Sequence, residues 1–144
     1  MKKFKFRLAQ VMRVREVQED QARAELLGAN RAAHEAAVRV ETRLDEYASR
    51  SLPDGATSYE KFERALFLLD SAAGAVDVAR ADHRTALDVV DDRREEWAAA
   101  RRRVAALERL EARRREEYAL EMRRAEDRLV DDLVVARHNR GEYR

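Results

Sequence analysis

The sequence predicts an all-α fold, a two-helix antiparallel coiled-coil hairpin whose longer second helix projects at its C-terminal end. Three observations predict it. The only proline among 144 residues is Pro53, inside the breaker Ser51-Leu52-Pro53-Asp54-Gly55-Ala56-Thr57. Either side of it the chain is almost entirely Ala, Leu, Glu, Arg, Lys and Gln, all good helix formers. The charged fraction is 41% and the aromatic fraction 6%, so most of the surface stays wet and one narrow seam is buried. An interior proline costs a helix roughly 3 kcal/mol. Two long proline-free stretches therefore become two helices, about 4–50 and about 58–138, joined by a turn at 51–57 in a single domain.

The first helix takes a seam through Leu8, Val11, Arg15, Gln18, Ala22 and Leu26, then Ala29, Ala33, Ala36, Val40, Leu44 and Tyr47. Its steps alternate three and four, near the 3.5-residue period of a left-handed coiled coil. Arg15 and Gln18 make its beginning polar, and the alanines of its middle allow close approach. Thr57-Ser58-Tyr59-Glu60 matches a capping box, with Thr57 as N-cap and Glu60 reaching back. The second seam begins Tyr59, Phe62, Leu66, Leu69, Ala73 and Val76. It continues through His83, Leu87, Val90, Trp97, Val104 and Leu107, and ends Tyr118, Met122, Ala125, Leu129, Leu133 and Ala136. Gly74 is a weak point worth about 1 kcal/mol against alanine. Gly141 suits a helix stop.

Lengths follow at 1.5 Å per residue: roughly 70 Å for the first helix and 120 Å for the second. If the hairpin closes at Pro53, pairing ends near residue 105. The remaining helix is supported by the pairs Glu111–Arg115, Arg113–Glu117, Arg123–Asp127 and Arg128–Asp132, each worth about 0.2–0.5 kcal/mol. Its apolar stripe from Tyr118 to Leu133 is left bare, which argues for a partner protein.

Composition excludes several functions. Thirty basic residues nearly cancel 29 acidic ones, for a net charge of +1; a nucleic-acid binder usually shows a one-sided basic excess. With no cysteine there are no disulfides or thiolate metal sites, in keeping with a reducing cytoplasm. No apolar run approaches the ~20 residues of a membrane span, and the basic start lacks a signal peptide's apolar stretch. His34, His83 and His138 lack metal-ligand spacing. Asp91-Asp92 and Asp131-Asp132 are adjacent on a helix, point ~100° apart and do not share a site. A hairpin offers no dry pocket for catalysis, so neither enzyme activity nor a cofactor is expected.

Two features point to binding. The runs Arg101-Arg102-Arg103 and Arg113-Arg114-Arg115 fit first a solvated face balanced by nearby glutamates, then an acidic protein groove, and last RNA. Tyr47, Tyr59, Phe62 and Phe67 gather at the tip. Phe62 and Phe67 point ~140° apart, so at least one tip aromatic is exposed, either as a binding patch or as the overflow of a small core.

Phe4-Lys5-Phe6-Arg7-Leu8 with Arg13-Val14-Arg15-Glu16 resembles the beginning of the flagellar export protein FliJ. The stretch from Leu107 to Tyr118, continuing through Arg124-Ala125-Glu126, is similar to that family's C-terminal signature. The resemblance spans nearly the whole chain. It implies a coiled coil like the central stalk of rotary ATPases, cytoplasmic and peripheral to the inner membrane at the flagellar base. The partners it implies are the hexameric export ATPase FliI, the export gate protein FlhA and export chaperones. It further implies ATPase contacts at Phe4, Phe6, Arg15, Tyr118, Met122 and Glu126, and gate contacts at Tyr47, Phe62, Leu66 and Leu69. Arg43 and Ala73 stand where that family has an aromatic and a histidine in the gate patch, and Asp127 follows Glu126 where glutamine is usual. Rival classes are a self-associating scaffold or client chaperone, and an RNA-gripping helical arm.

Overall fold

The computed structural model describes residues 3–141. It contains two helices packed against each other, α1 (Ala9–Ala48) and α2 (Tyr59–Gly141), and no strand among the described residues. The all-α hairpin expected from Pro53 is what forms. The chain divides into two compact units, 1–17 with 101–144 and 18–100.

In the unit 18–100 the core is built from small side chains: Ala33, Ala36, Val76, Ala79, Val90 and Ala100 are buried. The repeat on α2 is a heptad interrupted only at Arg93. Ala65, Ala72, Ala79, Ala86 and Ala100 recur at multiples of seven, and each is buried or half-buried. On α1 Ala22, Ala29 and Ala36 do the same. Leu66 and Leu87, expected in the seam from their size, are 47% and 45% exposed, and their alanine neighbours hold the seam instead. Alanine lets two backbones approach closely, and the longer leucines then flank the contact.

The seam of α1 is also shifted near its start. Glu19 is buried at 5% exposure, whereas Gln18 and Val11 are exposed. The physical reason is Trp97, whose Nε1–H donates to Glu19 Oε1 at 2.8 Å. Arg23 Nη2 donates to the same oxygen at 2.7 Å. The buried carboxylate needs donors, and it takes one from the half-buried Trp97 indole beside the i,i+4 arginine.

The connection explains both helix ends. Ser49 N–H donates to Asp45 O at 3.0 Å and Arg50 N–H to Tyr47 O at 3.1 Å. Leu52 precedes Pro53 and is thereby kept out of the helical region. Gly55 turns the chain with φ 79°, a conformation that costs any residue with a Cβ. The N-cap of α2 is Ser58, not Thr57: Lys61 N–H reaches Ser58 Oγ at 3.4 Å and Phe62 N–H donates to Ser58 O at 3.1 Å. With Lys61 at the third helical position, no capping box closes. Glu60 remains favourable in the first turn, beside the positive end of the helix dipole. Helix α2 runs unbroken through Gly74 and reaches Gly141, the last described residue.

In the unit 1–17 with 101–144, Val104 is the buried centre at 2% exposure. The helix expected from residue 4 begins instead at Ala9, and residues 3–6 are irregular. A non-helical segment can advance roughly twice as far per residue as a helix, which carries Phe4 to Tyr118. The pairing therefore extends past the residue-105 limit set by the helix lengths. From Arg123 to Gly141 every described residue is exposed.

Candidate functional site

Among the described residues each unit leaves apolar surface uncovered. In the unit 18–100, Glu19 stands beside Trp97 and Glu25 beside Arg93, at 3.0 Å. Continuing this antiparallel register brings the end of α1 level with about residue 69 of α2. The first ten residues of α2 thus lie past the end of α1. That is why Tyr59, Phe62, Leu66 and Phe67 are all exposed, at 77%, 40%, 47% and 68%. Tyr47 is exposed at the end of α1, and Leu69 is half-buried. The register thus sets Tyr47 level with Leu69, and leaves Phe62 and Leu66, with Tyr59 and Phe67, on the stretch of α2 past the end of α1.

Nearby on α2, Arg93 donates to Glu96 at 2.8 Å as well as to Glu25. The hydrogen bond and charge of Glu96, followed by the charge of Glu25, raise the Arg93 guanidinium above its ordinary value. It stays cationic throughout the working pH range.

In the other unit the rings of Phe4 and Tyr118 meet at 5.6 Å with an interplanar angle of 55°. The Arg115 guanidinium lies 5.4 Å from the Phe4 centroid, within cation–π range. Glu111 accepts from Arg115 at 2.9 Å and so steadies it. Phe6 lines the same open groove as Phe4 and Tyr118, with Lys3, Lys5 and Arg114 around them. Met122 is half-buried and Glu126 exposed, each a further turn along the Tyr118 face. Arg15 is half-buried on α1 and does not line this groove. Beyond Met122, Leu129, Val130, Leu133, Val134 and Val135 are all more than half exposed. Of the four ion pairs expected along this helix, Glu111–Arg115 and Arg113–Glu117 form, the latter at 3.4 Å. Arg123–Asp127 and Arg128–Asp132 do not, as befits fully exposed pairs whose ordering entropy offsets a weak attraction.

Sequence reasoning missed two features. One is Glu19, legible in retrospect from a strict heptad count through Met12, Arg15, Glu19, Ala22 and Leu26. The other is charge segregation hidden by the near-zero total. Residues 18–100 carry 11 basic and 18 acidic side chains, and the remainder carries 19 basic and 11 acidic.

Among the described residues no group of His, Asp and Glu is placed to hold a metal, and no helix is long and apolar enough to cross a membrane. The described residues make a pair of packed helices, a coiled-coil class of protein, with exposed apolar side chains. The family comparison is specific: residues 4–142 match the FliJ family, described as Flagellar FliJ protein, and the chain belongs to that family. It is thereby a component associated with the flagellar export machinery. Comparison with curated proteins and with solved structures gave no significant match.

Proposed function

We propose that this protein is a non-catalytic stalk of the flagellar export apparatus. Its α2 end and the Phe4–Tyr118 groove engage the hexameric ATPase FliI, and its tip engages the gate protein FlhA. The observation that carries this reading is the bare end of α2. Nineteen consecutive exposed residues, 123–141, include five large aliphatic side chains, and an apolar stripe of that length gains by entering a protein-lined hole. The basic excess of the same unit suits an acidic surround. At the other surface, the tip aromatics offer flat apolar contact with little side-chain entropy to lose. ATPase binding falls to Phe4, Phe6, Arg15, Tyr118, Met122 and Glu126, and gate binding to Tyr47, Phe62, Leu66 and Leu69. Escort of export chaperones is a further role of the same surfaces. The protein acts in the cytoplasm and reaches the inner membrane through its partners.

The test is pairwise. A chain ending at Met122 keeps the Phe4–Tyr118 contact, so its hairpin remains while the bare end is gone. It is expected to lose co-purification with the export ATPase and to keep binding to the gate. Phe62→Ala with Leu66→Ala is expected to do the reverse and to abolish motility. Gate binding and motility intact in the double variant would dismiss the tip assignment. ATPase binding intact in the truncation would dismiss the assignment of the end.

A further inference from the structure

The seam of the unit 18–100 is nearly blind to register. Alanines recur every seven residues on both helices, so sliding α1 by one heptad, about 10 Å, sets alanine against alanine again. Counting from the Glu19–Trp97 contact, the observed register sets Val40 level with Val76 and Tyr47 with Leu69, and brings Ala29 to Ala86 and Ala36 to Ala79 to within one residue. One heptad toward the tip, Ala29 meets Ala79, Ala36 meets Ala72, Val40 meets Leu69 and Tyr47 meets Phe62. These layers are as apolar as the observed ones, the two alanine layers unchanged in size and the two nearest the tip larger by Leu69 for Val76 and Phe62 for Leu69. The connection favours the slide: the slipped pairing centres the turn on Asp54 and Gly55, where the φ of 79° already reverses the chain. It also covers part of the ten α2 residues now left past the end of α1.

The slide breaks the exposed Glu25–Arg93 ion pair, which is worth little, and draws Phe4 along Tyr118 because α1 is continuous from Ala9; one buried polar layer opposes it most. The slide takes Glu19 from the Trp97 indole and sets it level with Val90, itself buried. Glu19 keeps Arg23, its neighbour on the same helix, but at 5% exposure it then faces an isopropyl group where the indole N–H stood, and the indole loses its acceptor. A buried polar pair of this kind excludes registers that apolar packing tolerates.

We infer that the Glu19–Trp97 hydrogen bond is a register lock, and that the hairpin has a second packed register, one heptad away, in which Tyr47 covers Phe62. The lock keeps the tip aromatics uncovered. Any event that separates Glu19 from Trp97 closes the tip surface by a slide of α1, with both helices intact. The second register follows from the seam alone, whatever the tip binds.

The absence of cysteine makes the test clean. Val40→Cys with Val76→Cys reports the observed register. Val40→Cys with Leu69→Cys reports the slipped one, because a disulfide needs Cα atoms within about 7 Å. In the full-length chain, mild oxidation is expected to close the first pair and leave the second open. Adding Glu19→Leu, which keeps the seam apolar, is expected to raise the cross-linking rate of the second pair by about tenfold or more, the scale of a lost charge-assisted hydrogen bond. Trp97→Phe, which removes the donor and keeps an aromatic ring, is expected to act in the same direction. Spin labels at Val38 and Val78, both exposed, provide a readout without a trapping bond. A second distance population in the Glu19→Leu chain supports the slide. Retained helicity with one distance population, and cross-linking only in the observed register, would overturn it.

Discussion

Replacing Gly74 with alanine stabilises this protein, by an amount that follows from three facts. Gly74 lies inside α2, it has no positive φ, and a Cβ built on it meets nothing within 4 Å. The substitution therefore adds no clash and removes the backbone freedom that an unfolded glycine enjoys, a gain of about 1 kcal/mol. Gly28, inside α1, satisfies the same three conditions. The antiparallel register sets Gly28 and Gly74 well apart along the pair, so the two gains add to about 2 kcal/mol. Gly55 supplies the opposite sign. Space around it is equally open, but its φ of 79° makes alanine strained, at a cost of order 1 kcal/mol. The assay is thermal unfolding by circular dichroism at 222 nm. For a chain of this size 1 kcal/mol moves the midpoint by about 2–4 °C. Gly28→Ala and Gly74→Ala each raise it, their combination raises it by the sum, and Gly55→Ala lowers it. A lower midpoint for Gly74→Ala with a higher one for Gly55→Ala would refute the reasoning, because it would place the break of the helix at Gly74 and not at the Pro53 turn.

Other outcomes follow from single contacts. Trp97→Phe removes the donor to a buried carboxylate and is expected to cost about 1.5–3 kcal/mol in urea unfolding. Ser58→Ala removes the N-cap of α2; because its bond is long, at 3.4 Å, the loss is expected near the low end of caps, about 0.5 kcal/mol. Phe4→Ala removes the ring against Tyr118 and under Arg115. It is expected to free the N-terminal segment, seen as faster amide exchange at residues 3–8 with little change in global stability. Phe62→Ala with Leu66→Ala changes exposed side chains, so it is expected to alter stability by less than about 1 kcal/mol while removing gate binding.

The hairpin was readable because proline and glycine leave few alternatives: Pro53 and Gly55 mark the turn, and no second breaker exists. Where the helices pair, the seam was readable to within one residue; its ends, Tyr59 and Phe62 at the tip and Leu129 and Leu133 on α2, are exposed because α1 does not reach them. Ranking by hydrophobicity selects Leu66 over Ala65 and Leu87 over Ala86, but close helix approach rewards the smaller side chain and sends leucine to the flank. Glu19 was passed over because a charge is expected outside, and only its distant partner Trp97 makes it a core residue. The N-terminus misled for a related reason. Phe4 to Leu8 has helical propensity enough, yet Phe4 lies in an irregular segment with its ring tilted against Tyr118. The candidate surfaces divide similarly. The angle between Phe62 and Phe67 foretold an exposed tip, but its extent depends on where α1 ends against α2, a register that no local pattern encodes. Arg15 was set in the seam by its spacing, and it is half-buried there.

ATP turnover by the cognate export ATPase, titrated with the full chain and with the chain ending at Met122, tests the central claim most directly. The full chain is expected to stimulate turnover, and the truncated chain, folded by circular dichroism, is expected not to. Equal stimulation by both chains, or none by either with an active ATPase, would contradict the stalk role and favour a self-associating scaffold.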